Sequence, residues 1–151
     1  MDIRPGSIAD RAVEALLTAH RQSMSAYSPP ESIHALTTSE LADPSISLWC
    51  AWEGDALLGC AALKALDGTH GEIKSMRTAD AHRRRGVANA LLVRVLDEAR
   101  ARGYVRLSLE TGSDEAFAPA QRLYQKHGFE FCGPFGSYVD DPYSVFMTKS
   151  L

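Results

Sequence analysis

Between Glu72 and Leu109 the chain passes from strand-like to helical periodicity and back, and this switch limits the fold more than any other feature. Glu72 to Thr78 reads as a strand. Val87, Leu91, Leu92, Val95, Leu96 and Ala99 then mark one face of a long helix closed by Gly103, and Val105 to Leu109 alternates as a second strand. A strand–helix–strand unit of this length predicts a parallel pair joined by a right-handed crossover. The helix is entered through Arg83-Arg84-Arg85-Gly86-Val87-Ala88, which reads R-x-x-G-x-A. A glycine turn feeding a helix N-terminus presents free N–H groups and the positive end of the helix dipole, and three arginines add fixed charge and bidentate donors. The turn is therefore an expected anion site at the carboxyl end of a parallel strand, where ligands of such sheets bind.

The flanking sequence supplies the rest of a mixed sheet. Ile3-Arg4 reads as a first strand ended by Pro5-Gly6, with Ser7 as N-cap of a helix carrying Ala12, Val13, Leu16, Leu17 and His20 on one face. Ser28-Pro29-Pro30-Glu31 is a loop, and a second short helix is expected from Ile33 to Leu41, ended before Asp43-Pro44. Ser47 to Trp52, a hairpin at Glu53-Gly54-Asp55, Leu57 to Leu66 and Glu72 to Thr78 form a three-strand meander. After the crossover, Ala120, Leu123, Tyr124 and His127 define a helix stopped by Gly128, with Pro119 in its first turn. Phe129-Glu130-Phe131 and Ser144 to Thr148 close the sheet. The expected class is α/β, an α+β mixed sheet of meander plus parallel βαβ unit with helices on both faces, as one domain over residues 1–151.

Composition narrows the ligand. Sixteen Lys+Arg against nineteen Asp+Glu give a formal net charge of −3, so the arginine run is a local feature of a mildly acidic chain and nucleic acid is not an expected partner. No stretch approaches membrane-spanning length, and no secretory leader is recognised. Cys50, Cys60 and Cys132 lack metal-site or disulfide spacing, so no metal is expected and reduced thiols in a cytoplasmic protein are. No Gly-Lys pair supports a Walker loop, and Gly86 stands without the partners of a dinucleotide fingerprint.

The turn resembles the coenzyme A pyrophosphate loop of the GNAT superfamily of N-acetyltransferases, Q/R-x-x-G-x-G/A, with Arg83, Gly86 and Ala88 at its defined positions. Glu72-Ile73-Lys74-Ser75-Met76-Arg77-Thr78 resembles that family's fourth strand, and Gln121 to Phe129 resembles its L-Y-x-x-x-G-F signature. The resemblance covers nearly the whole chain and implies the acyl-CoA N-acyltransferase fold with acetyl-CoA as donor. It places the pyrophosphate on main-chain N–H groups from Arg84 through Arg85, Gly86, Val87 and Ala88 to Asn89. It also makes Arg83, Arg84 or Arg85 a partner of the ribose phosphate, at least one of the three only solvating the surface. Main-chain groups of Met76, Arg77 and Thr78 are implied to hold the pantetheine arm. One departure is Phe117, where many members carry Asn seven positions before the LY tyrosine.

Acetyl transfer to an amine requires deprotonation of an ammonium that ordinarily titrates near a pKa of about 10.4, an N–H donor for the oxyanion, and a proton for the departing thiolate. By resemblance Tyr124 is that proton donor and Glu72 the general base. A core tyrosine and a structural ion pair or amine-steering charge are their respective alternatives. Strand alternation sets His70, Glu72, Lys74 and Met76 on one face and Ile73, Ser75 and Arg77 on the other, with Lys74 a neighbour of Glu72 and His70 a rival base. The acceptor, a small-molecule or peptide primary amine, is expected near Glu31, His34, Tyr138 and Asp140. The alternative function is a non-catalytic acyl-CoA sensor, and monomer and homodimer stay equally open.

Overall fold

The computed structural model describes all 151 residues. Seven strands are present: β1 (Asp2–Pro5), β2 (Ile46–Glu53), β3 (Ala56–Ala65), β4 (His70–Thr78), β5 (Arg106–Gly112), β6 (Glu130–Cys132) and β7 (Ser144–Ser150). They form one sheet in the order β1-β2-β3-β4-β5-β7-β6. The helices are α1 (Arg11–Met24), α2 (Val87–Ala101) and α3 (Ala118–Lys126). The meander and the crossover are as the sequence implies: β2, β3 and β4 are antiparallel neighbours, and β4 and β5 are the parallel pair.

Alternation along the strands divides the interior into two cores. Trp49, Ala51, Leu63, Ile73, Leu107 and Leu109 pack with the apolar stripe of α2. Leu48, Cys50, Trp52, Cys60 and Ala62 face the other way and pack with Val13 and Leu17 of α1. Fully burying a leucine- or valine-sized side chain stabilises by roughly 1.5–3 kcal/mol, so these two faces fix the register of every central strand.

Four local expectations are corrected. Ser7 does not cap α1; its hydroxyl takes the Ala9 N–H, and the Asp10 carboxylate caps the helix at Ala12 N (2.8 Å) and Val13 N (3.4 Å). A carboxylate there satisfies two orphan donors and suits the positive end of the dipole. The helix expected from Ile33 to Leu41 is absent, replaced by single 3-10 turns at Pro30–Ser32 and Glu40–Ala42. Thr37 and Glu40 bond each other's backbone N–H through their side chains, each at 3.1 Å, a capping box that starts a helical turn only at Thr37 and leaves Ile33 to Leu36 outside it. Strand β3 stops at Ala65, because the Leu66 N–H turns to the His70 carbonyl at 3.0 Å.

The fourth correction matters for function. Lys74 pairs with Ala62 and Arg77 with Cys60, so three steps along β4 match two along β3. Ser75, at φ 53°, is the extra residue of a β-bulge. The bulge reverses alternation beyond it: Met76 joins Ile73 on the α2 face, whereas Arg77 moves to the face of Lys74 and donates to Ser23 of α1 at 3.1 Å. Just before this bulge, β4 and β5 separate. Their pairing covers only His70–Ile73 against Arg106–Leu109, so the strands splay apart beyond Ile73 and Leu109.

Candidate active site

A cavity of about 710 Å³ runs through the splay, open to both faces of the sheet. Its walls are β4 from Glu72 to Thr78, β5 from Glu110 to Gly112, the turn before α2, the first turns of α3, and the end of α1 with the segment to Ala35. Met76, Arg77, Thr78, Arg83, Arg84, Gly86, Val87, Ala88, Asn89, Glu72, His34 and Tyr124, all singled out in the sequence, meet there.

On the α2 side the cavity ends at the arginine turn. Gly86 is the N-cap of α2 at φ 77° with no side-chain cap, and its carbonyl accepts from Ala90 at 3.0 Å. The N–H groups of Val87, Ala88 and Asn89 therefore have no helical partner and remain available to an anion. A Cβ on Gly86 would meet nothing within 4 Å, so the turn is open there and glycine is required by its φ and not by crowding. The arginines diverge. Arg84, itself at φ 63°, and Arg83 line the cavity, and Arg83 pairs with Asp80 at 2.7 Å. Arg85 leaves it, bonded to Glu53 at 2.8 Å and His82 at 2.9 Å. Asn89 is fixed by His127 at 2.7 Å, which ties α2 to α3.

Tyr124 stands on α3 where the cavity narrows. Its ring packs edge-on against Phe129 with centroids 5.7 Å apart, and burial pushes its hydroxyl above the usual phenol range, so it stays protonated. Phe117, at the cavity wall, lies so close to Gly112 that a Cβ there would sit 2.2 Å from the ring. It meets Tyr27, beyond α1, edge-on at 5.6 Å. An aromatic contact thus stands where an asparagine side chain is usual in the family it resembles.

On the α1 side, Glu72 is buried, and its Oε2 accepts from both Lys74 Nζ (3.2 Å) and the Tyr138 hydroxyl (2.6 Å). Lys74 also donates to the Tyr138 oxygen at 2.9 Å, closing a triangle. Burial and the Glu72 charge hold the Tyr138 phenol above its ordinary range. Tyr138 packs edge-on against His34 at 5.0 Å. Glu31 and Asp140 are exposed and, like Tyr138, lie outside the cavity wall, so of the four expected acceptor residues only His34 lines it, with Tyr138 bonded to Glu72 behind it. His70 is also outside, bonded to Ser108 at 2.7 Å.

Sequence reasoning missed three features here. Glu110 lines the cavity just past the last β5 residue paired with β4 and accepts from Ser144 Oγ at 2.7 Å; burial raises its carboxyl pKa. Its signal was only the alternation of Ser108 and Glu110 with Leu107 and Leu109, which reads as a solvent face. Half-buried His20 has its pKa lowered to about 4 by desolvation of its ring and by the Arg77 charge, and is therefore neutral. His20 Nδ1, Ser75 Oγ and Arg77 Nε have no partner, and all three residues border the cavity.

Residues 13–129 match the acetyltransferase (GNAT) family. The chain is 54% identical over 151 residues to YsnE, an uncharacterised N-acetyltransferase of Bacillus subtilis (strain 168), covering 100% of both chains. Among solved structures it is similar to a putative acyl-CoA N-acyltransferase from Klebsiella pneumoniae (TM-score 0.79, 25% identity, 99% of this chain and 97% of that one). It also shares the fold of a GNAT family acetyltransferase from Elizabethkingia anophelis with acetyl-CoA bound (TM-score 0.72, 20% identity, 99% and 97% coverage). Turn, splay and sequence similarity agree: the chain belongs to the GNAT acetyltransferase family and is an acetyl-CoA-dependent N-acetyltransferase.

Proposed function

We propose that the protein transfers acetyl from acetyl-CoA to a primary amine, on a small molecule or a peptide α-amine, by direct attack through a tetrahedral intermediate. The observation that carries this reading is the cavity through the β4/β5 splay, lined both by an anion-ready turn and by the carboxylates of buried Glu72 and half-buried Glu110. The donor's pyrophosphate lies on the N–H groups after Gly86, with Arg83 and Arg84 within reach of its phosphates. The pantetheine arm follows the side of β4 that faces the splay, taking main-chain bonds from Met76 to Thr78. A backbone N–H in that stretch receives the oxyanion.

The two ends of the cavity divide the chemistry. Glu72, held by Lys74 and Tyr138, sets a fixed negative charge on the acceptor face and draws the ammonium in. Tyr124, kept protonated by burial, gives its proton to the departing thiolate. The deprotonated amine nitrogen adds to the carbonyl carbon, the tetrahedral intermediate then collapses with loss of the C–S bond, and the products are the N-acetyl amide, free coenzyme A and one proton released to solvent. The acceptor pocket mixes Glu72, Glu110, Lys74 and His34, which suits a cationic or zwitterionic amine over an apolar one.

Thermal unfolding tests the donor half. A ligand at a hundred times its Kd stabilises by about 2.7 kcal/mol, and for a chain of this size that raises Tm by roughly 5–10 °C. Acetyl-CoA raises Tm, and ATP and NAD do not. Thiol release across a panel of primary amines tests the transfer. A Tm unmoved by acetyl-CoA, or thiol release that no amine accelerates, refutes the reading.

A further inference from the structure

Two carboxylates, the buried Glu72 and the half-buried Glu110, line the cavity, and their surroundings differ. Both donors to Glu72, the Lys74 ammonium and the Tyr138 hydroxyl, converge on the same oxygen. The carboxylate is thereby held in place by an ion pair and a hydrogen bond, and the oxygen that a base would use is already engaged twice. Glu110 has no cation bonded to it; its hydrogen bond comes from the neutral Ser144 hydroxyl, which orients it from β7. It also stands nearer the reacting centre in the topology. The last paired residues of the parallel strands are Ile73 and Leu109, so Glu72 lies within the paired stretch, and Glu110 is the first β5 residue at the opening through which the thioester must reach the acceptor.

We infer that Glu110 is the general base, taking a proton from the acceptor ammonium, while Glu72 is a positioning charge locked by Lys74 and Tyr138. This rests on the transfer reaction proposed above. Glu110 carboxylate accepts one proton from R–NH3+, leaving R–NH2 and a neutral carboxylic acid, and later releases it to solvent. The freed lone pair forms the C–N bond, the C–S bond breaks, and Tyr124 protonates the thiolate. The second nitrogen proton lost on amide formation returns through water to Tyr124. The groups facing Glu110 are Glu72 and Lys74 from β4, His34 from the segment after α1, Tyr138 from the segment before β7, and Ser144 from β7. Burial is the largest influence and Glu72 acts with it, both favouring the protonated acid. Ser144, His34 and Lys74 oppose them.

The test is the pH dependence of kcat with an acceptor drawn from the amine panel, comparing wild type with three variants. Glu110→Gln lowers kcat by about a hundredfold or more and abolishes the acidic limb, with the acetyl-CoA-induced rise in Tm retained as proof of folding. Ser144→Ala removes a bond that favours the carboxylate, so the limb moves to higher pH. Glu72→Gln raises KM for the amine more than it lowers kcat and keeps the limb. A Glu110→Gln enzyme with the wild-type limb, or Ser144→Ala with the limb unmoved, overturns the assignment while leaving the transfer reaction intact. A wild-type enzyme that binds acetyl-CoA yet acetylates no amine overturns the transfer reading, and this inference with it.

Discussion

Replacing Tyr124 by Phe removes one oxygen and leaves the ring. The ring's packing in the α2-side core and its edge contact with Phe129, at 5.7 Å, are retained, so folding should change by less than about 1 kcal/mol. The chemical effect is separate and larger. A positioned general acid contributes about a hundredfold to ten-thousandfold, and the lower figure is about 2.7 kcal/mol on the barrier. Tyr124 suits this role because it lines the cavity with a phenol that is protonated across the working pH range, although burial raises its pKa and so makes it a weaker acid than a free phenol. Steady-state thiol release therefore shows kcat at least a hundredfold lower, with KM for acetyl-CoA and Tm nearly unchanged. An acetyl thioester with an aromatic thiol leaving group, whose thiolate needs no proton, narrows the gap between variant and wild type. Equal kcat in the two proteins, with acetyl-CoA as donor, refutes the assignment and returns Tyr124 to a packing role.

Two further perturbations probe the donor site and the wall. Gly86→Ala meets no neighbour within 4 Å but must hold φ 77°, costing about 1 kcal/mol of stability and disturbing the N–H groups that follow it. KM for acetyl-CoA rises about tenfold, as expected from losing one hydrogen bond to a charged group, and unchanged KM contradicts the turn as phosphate site. His20 is neutral in the fold down to about 4, so the unfolded chain binds the extra proton between that pH and 6.5. Stability is therefore lost as pH falls through that window, by roughly 3 kcal/mol at most. Calorimetric Tm values between pH 7 and pH 4.5 should fall less steeply for His20→Gln than for wild type, and equal slopes remove His20 as the cause.

The meander, the parallel crossover and the turn were legible in the sequence because period-two and period-3.6 patterns alternate there with glycine punctuation. Gly54, Gly86, Gly103 and Gly128 all take positive φ at the predicted turns and helix ends. The segment from Ile33 to Leu41 misled because its apolar residues read as helical, but the buried pair Leu36 and Leu41, five apart, does not share a helical face, and the Thr37–Glu40 capping box starts only a single turn. The Ser75 bulge left no mark in composition, so the faces of Met76 and Arg77 were exchanged. Glu72, Tyr124 and the turn were visible through motif resemblance, which marks local segments. Glu110 was not, because its burial depends on Ser144 and Tyr138, more than 25 residues away in sequence. The same distance hid the Lys74–Tyr138–Glu72 triangle, where the predicted neighbour Lys74 was right but the third member lay in a loop.

Everything proposed for the site depends on a coenzyme A thioester threading the β4/β5 splay with its phosphates on the N-terminus of α2. Titrating the isotopically labelled protein with coenzyme A and following backbone amide resonances tests it directly. Threading predicts that the largest saturable shifts fall on Gly86 to Asn89 and on Ser75 to Thr78, with β1 and β6 unmoved. Shifts confined to other surfaces, or none at Gly86 to Asn89 under saturation, contradict it.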